Sequence, residues 1–176
     1  KLMESRENIV FLGMMGSGKT SIGKLVSKKL KLNFIDTDKY IEDKLKMSIS
    51  KIFLEKGESF FRDYEEKITL NILSKKNLVI ALGGGAFLNK NIREKILKNH
   101  ISFWLSLNNN TLIKRIRVNF KRPIANRMTN NKLIELIKKR SNLYSKALYK
   151  VNCDNLRKNE VVNQIISIYE SNKVNS

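Results

Sequence analysis

Residues 11–21 read FLGMMGSGKTS. Ile9 and Val10 lead into the stretch, and IGKLVSKKLKL, with apolar positions at helical spacing, leads out of it. Gly13, Gly16 and Gly18 therefore fall between a strand-like and a helix-like segment, with Lys19, Thr20 and Ser21 at the start of the helix. A strand, a flexible turn, a lysine and a hydroxyl follow one another in that order, and the order needs a chemical reason.

Gly13, Gly18, Lys19 and Thr20 satisfy the P-loop pattern G-x-x-x-x-G-K-S/T. Such a loop is an anion site. Glycines allow backbone angles that turn successive N–H groups inward. The helix that begins there aims the positive end of its dipole at the same point. Lys19 adds a mobile charge for outer phosphates, and Thr20 offers a hydroxyl to Mg²⁺. The bland alternative is an ordinary glycine-rich strand-to-helix turn. The strand before and the helix after favour the phosphate tail of a nucleoside triphosphate, but they leave the second substrate open.

Beyond this stretch, strand-like and helical segments alternate. The apolar runs at 33–36, 77–82, 101–107 and 150–153 read as further strands. Helical patterns cover 18–31, 39–46, 50–57, 58–74, 90–99 and 111–118, then a long stretch ending near 148 and a last one at 158–169. Five short apolar strands separated by helices predict an α/β fold with a parallel sheet covered on both faces. The segment 120–131 is polar, basic and irregular and holds the chain's single proline, Pro123, so it is the candidate mobile loop. No repeat and no domain-length linker interrupts the pattern, and 176 residues suit one domain.

Composition narrows the partners. The net charge is +19, from 35 basic and 16 acidic side chains, but the lysines are spread along the whole chain rather than gathered in a stripe. That distribution predicts neither a nucleic-acid nor a membrane partner, although the positive field would collect small polyanions. No apolar run is long enough to span a bilayer and no signal-peptide pattern opens the chain. The lone Cys153, in the strand-like YKVNCDN, fits a reducing compartment, cytoplasm or an organelle interior, and an inert structural role. His100, Trp104, Tyr144 and Tyr149 read as packing residues.

Three constellations can hold an acceptor. FIDTDKYIE closes the second strand with Asp36 and Asp38, which extended alternation would point the same way, toward the crevice at the strand ends. Two acids beside a triphosphate repel it unless one faces a metal. The other either takes a proton from an attacking hydroxyl or orients it, or else Asp38 caps the following helix. In GESFFRDYEE, Arg62 and Glu65 stand three apart on a helix, either as a surface ion pair or as a guanidinium held to grip a carboxylate. Gly83, Gly84 and Gly85 end an apolar strand, either as a tight turn or as a ligand wall free of side chains. Arg122 and Arg140, on their own, are two among many cations.

Taken together, these residues resemble the shikimate kinase family. The resemblance runs from about Asn8 to Tyr169 and rests on GMMGSGKTSIGKLVSKKL, FIDTDKYIE, GESFFRDYEE, VIALGGGAF, KRPI and RSNLY in that order. It implies a three-layer P-loop NTPase fold with strand order 2-3-1-4-5, and a mobile lid at about 118–131. It also implies transfer of the ATP γ-phosphoryl group to the 3-hydroxyl of shikimate, on the route to chorismate, by a cytoplasmic monomer. Gly16, Ser17, Gly18, Lys19, Thr20 and Ser21 would hold ATP, with Thr20 and Asp36 toward Mg²⁺. Asp38 would bind the acceptor hydroxyls and act as base. Arg62 and Arg140 would clamp the shikimate carboxylate beside Gly84, with Glu65 orienting Arg62. Phe53 and Phe61 match residues that pack on the ring, Arg115 one near the base, and Arg122 one that swings in to neutralise the transferred phosphoryl group. IANRM follows KRP where the family usually has two leucines, and CDNLRKN lacks a proline often found against adenine. A kinase for another hydroxy acid such as gluconate, a catalytically silent binding protein and a nucleic-acid-binding ATPase are the competing readings.

Overall fold

The computed structural model describes residues 8–118, 125 and 127–174. Among them, five strands form one sheet: β1 (Ile9–Leu12), β2 (Asn33–Asp36), β3 (Leu78–Ala81), β4 (Ile101–Ser106) and β5 (Tyr149–Asn152). All pairings are parallel and the order is β2-β3-β1-β4-β5, as expected. The sequence of each strand follows its place. IVFL and LVIA lie in the interior of the sheet and are buried throughout, because helices cover both of their faces. NFID and YKVN form the edges and carry exposed polar positions.

Alternation along β1 divides the core. Val10 and Leu12 face one layer with Ile80, Ile72, Ile96 and Tyr144. Ile9 and Phe11 face the other with Val26, Phe103, Val162 and Ile165. The first layer is roofed by α3 (Ile49–Leu73), α4 (Lys90–Asn99) and α6 (Asn130–Tyr144), the second by α1 (Lys19–Leu30) and α7 (Lys158–Val174). A third small cluster, Ile41, Ile52 and Phe61, joins α2 (Thr37–Leu45) to the first half of α3. Helix α5 (Asn109–Val118) follows β4.

Several boundaries differ from the sequence-based expectation. The helices expected at 50–57 and 58–74 are continuous in α3 apart from a kink at Gly57, where φ is 85° and ψ 164°, a conformation that glycine accepts readily. Helix α6 stops at Tyr144 instead of near 148, because Ser145 to Leu148 turn the chain into β5. Cys153 follows β5 rather than lying in it. The last helix runs on to Val174. Half of the expected lid at 118–131, residues 119–124 and 126 with Arg122 and Pro123 among them, falls outside the described residues, and its last two residues already belong to α6.

The register depends on one buried polar residue. Asn8, 2 % exposed, precedes β1. Its side chain accepts from Leu78 N–H at 3.0 Å and donates to Lys75 O at 2.7 Å, while its own carbonyl accepts from Ile101 N–H at 2.9 Å. Asn8 thus ties the start of β1 to both neighbours. Removing its amide strands a buried N–H and a carbonyl, which costs about 1–3 kcal/mol. Asn8→Ala is expected to lower the thermal midpoint accordingly in a calorimetric scan, and an unchanged midpoint would refute this role.

Candidate active site

The turn after β1 has the backbone that its glycines anticipate. Gly13, Gly16 and Gly18 have φ of 147°, 80° and 98°. Gly18 caps α1 without a side-chain acceptor, and no acidic residue occupies the first turn. The leading N–H groups of α1 are therefore neither capped nor neutralised by a carboxylate, which suits an anion. Lys19 is buried, and its Nζ donates to Gly13 O at 2.8 Å and Met14 O at 2.9 Å, across the loop it serves. The Ser17 hydroxyl is buried with no hydrogen-bond partner among the described residues. Ser21 Oγ turns back to Gly18 O at 3.2 Å. Arg115, expected near the base, donates to Gly16 O at 3.1 Å and so braces the loop from α5.

The two acids that close the second strand, Asp36 and Asp38, are not aligned as extended alternation would have them, because the chain leaves the extended conformation at Thr37. Asp36, not Asp38, caps α2: its Oδ1 accepts from Lys39 N–H at 3.1 Å. Its other oxygen accepts from Thr20 Oγ1 at 2.5 Å. A hydroxyl and a carboxylate oxygen thus meet beside the loop. Among the described residues no group of three or more His, Cys, Asp or Glu side chains is placed to hold a metal alone. Two hard oxygens next to an anion site fit Mg²⁺, whose other positions fall to phosphate and water oxygens.

Asp38 lies in the first turn of α2 and stands against the triple glycine. The three glycines share the space around them in turn. A β-carbon on Gly83 would lie 2.5 Å from Asp38 Oδ1; on Gly84, 3.4 Å from Arg140 Nη1 and 3.6 Å from Met15 N; on Gly85, 2.7 Å from Arg62 Nη1. Backbone without side chains thus lets one carboxylate and two guanidinium groups close on a single strip beside the P-loop. Gly85 has an ordinary helical φ of −96°, so space rather than backbone conformation selects glycine there.

Arg62 is held from behind. Arg62 Nη1 donates to Glu65 Oε1 at 2.8 Å, and its guanidinium lies 5.8 Å and 5.2 Å from the Phe53 and Phe61 ring centroids. Phe53 and Phe61 pack on each other, centroids 4.8 Å apart, and Phe61 is buried in the small cluster under α2. Burial pushes the Glu65 carboxyl above its ordinary range; the Arg62 charge pulls the other way, and Asp38 and Arg140 also act on it.

Two residues outside the predicted site anchor the strip. Thr37 is fully buried and its hydroxyl accepts the Gly83 N–H at 2.8 Å. Tyr144, predicted as packing alone, does pack against Phe87 and Trp104, but its hydroxyl also donates to Gly84 O at 2.5 Å. The one available signal for Thr37 was a hydroxyl residue between two functional acids. His100 is fully buried at the end of α4. The Cys153 thiol is pushed up to about 11, mainly by burial, so it holds its proton at neutral pH as an inert thiol should.

A family model described as shikimate kinase matches residues 15–170. The chain belongs to the shikimate kinase family. It is 41 % identical over 165 residues to a shikimate kinase from Thermodesulfovibrio yellowstonii, covering 93 % of this chain and 95 % of that one. It is 36 % identical to a shikimate kinase from a Sulfurihydrogenibium species, covering 92 % and 96 %. Among solved structures, shikimate kinase from Acinetobacter baumannii, in complex with shikimate, matches with a TM-score of 0.89 at 31 % identity over 97 % of each chain.

Two consequences of this shikimate kinase site can be measured. Gly85→Ala puts a methyl group where Arg62 stands, so the guanidinium must leave its place beside Glu65. It is expected to fold normally and to raise KM for shikimate by about tenfold or more; a wild-type KM would overturn the spatial argument. Glu65 supplies a pH test. Its pKa is raised from 4.5, so the native state binds a proton more tightly than the unfolded chain does. Stability then falls as pH rises from the unfolded value through the raised one, and the loss persists above it. As pH is raised from about 4.5 toward neutrality, the wild type should lose thermal midpoint relative to Glu65→Gln. A wild type that gains on the variant across that range would show the sign to be wrong.

Proposed function

We propose that this chain transfers the γ-phosphoryl group of ATP to the 3-hydroxyl of shikimate, and that the strip at Gly83–Gly85 is where the acceptor meets the phosphate site. The convergence of Asp38, Arg140 and Arg62 on three successive glycines, beside the P-loop backbone, carries this reading. A carboxylate-bearing polyol needs both a planar cationic grip and an acid facing its hydroxyls, and these residues supply both.

The assigned roles follow the chemistry. The amides from Gly16 to Ser21 and the Lys19 ammonium hold the phosphates. Mg²⁺ supplies charge neutralisation on the phosphate oxygens, and Thr20 and Asp36 are the residues that would hold it. Arg62 and Arg140 hold the shikimate carboxylate and so fix the ring. Asp38 receives the proton of the 3-hydroxyl as its oxygen bonds to the γ-phosphorus. The bond from that phosphorus to the bridging oxygen breaks, and ADP leaves with the electron pair. Arg122, outside the described residues, is assigned by family likeness to the charge on the moving phosphoryl group. Alignment supplies much of the rate, because phosphoryl transfer needs little covalent help. We assign the protein to the cytoplasm as a monomer; no helix among the described residues is long and apolar enough to cross a membrane.

The test is ADP release measured with shikimate, with gluconate and with neither. Turnover is expected with shikimate alone. Asp38→Asn should lower kcat by at least about a hundredfold, the lower range for a lost general base, while ATP binding is retained. Full turnover in Asp38→Asn would remove the base assignment. Equal turnover with gluconate would remove the substrate assignment.

A further inference from the structure

We propose that Tyr144 is a positioning residue for substrate binding, whose hydroxyl couples Arg140 to the Gly84 carbonyl so that the guanidinium is aimed before an anion arrives. The inference rests on the functional reading above and goes further, by assigning a role to a residue outside the charged groups of the site.

Tyr144 is the last residue of α6, one helical turn beyond Arg140, so the two side chains lie on the same face. It is 1 % exposed. Phe87 and Trp104 hold its ring, with centroids 6.3 Å and 6.1 Å away, so the hydroxyl has little freedom. That hydroxyl donates its proton to Gly84 O at 2.5 Å. Arg140 Nη1 would lie 3.4 Å from a β-carbon on the same Gly84, so phenol and guanidinium converge on one residue. Arginine has no acceptor, so a contact between them has Arg140 as donor and the phenol oxygen as acceptor. The phenol is pushed up to about 12, mainly by burial, and so keeps its proton for Gly84 O at working pH.

The choice of a phenol has an electrostatic consequence. Arg62 is oriented by a carboxylate, which also offsets its charge. Tyr144 orients Arg140 while remaining neutral, and leaves the full cation for an incoming carboxylate. Arg140 Nε is buried and has no hydrogen-bond partner among the described residues. Nη1 stands over Gly84, the residue whose carbonyl the phenol holds. Donors not committed to Tyr144 are thus presented at the strip. A guanidinium fixed in advance forfeits less rotamer freedom on binding than a free one.

Steady-state kinetics of Tyr144→Phe tests the role. The ring and its packing remain, and only the hydroxyl goes. KM for shikimate is expected to rise about tenfold, as for loss of a hydrogen bond to a charged group, with kcat and KM for ATP within about twofold. An unchanged shikimate KM in this variant, beside an active wild type, overturns the proposal. A wild type without shikimate-dependent turnover instead overturns the functional reading on which it rests. Repeating the substitution in Arg140→Lys separates positioning from general packing. There the extra loss should shrink to within about twofold, and the same tenfold loss in both backgrounds would refute action through Arg140. If Tyr144→Phe yields no folded enzyme, Tyr144→4-aminophenylalanine decides the matter. It keeps the ring and a donor for Gly84 O but accepts poorly from a guanidinium. A raised shikimate KM at the wild-type thermal midpoint supports the proposal, and a wild-type KM rejects it.

Discussion

Three consecutive residues without side chains, just past an interior strand, set where the charged groups of this site stand. A single β-carbon at Gly83, Gly84 or Gly85 would occupy space next to Asp38, Arg140 or Arg62 respectively. The strip is held by Thr37 at its first N–H and by Tyr144 at its second carbonyl. Its position beside the P-loop follows from strand order. Because β3 pairs with β1, the turns that leave their ends are neighbours, and Gly84 comes within reach of Met15 and Gly13. The proposed acceptor side and the phosphate side of the site are thus joined by backbone geometry.

Electrostatics in the site is local despite the large overall charge. The chain carries +19, yet the two guanidinium groups at the strip differ in their surroundings. Arg62 is paired with a buried glutamate, whereas Arg140 and a neutral phenol meet at Gly84. In a chain rich in lysine, both positions proposed to clamp the carboxylate are arginine. A planar fork with several fixed donors meets a carboxylate in two places at once, whereas an ammonium offers a point charge. The dispersed surface lysines add a background field that favours anionic ligands in general and discriminates little among them.

Much of this was legible in the chain itself. The fully apolar IVFL and LVIA were legible as strands, because burial on two faces leaves no room for polar side chains. The P-loop was legible because its chemistry depends on neighbours in sequence: glycine angles, a helix start and a lysine within a few residues. The cap on α2 belongs to Asp36, where the sequence offered Asp38 as cap only as the alternative to a functional role. The choice depends on the residue at which the strand becomes a helix, and boundary positions are set by packing as much as by local preference.

Local order along the chain, then, was enough to establish the alternating layers, the phosphate loop and the residue types needed to hold an acid. Tertiary structure was needed to show that Glu65 is buried behind Arg62, that Thr37 faces inward, and that Tyr144 reaches a glycine 60 residues away. Periodicity reports which face of an element is apolar. A hydrogen bond between distant residues depends on where the folded backbone brings them, and no pattern within either segment encodes that meeting.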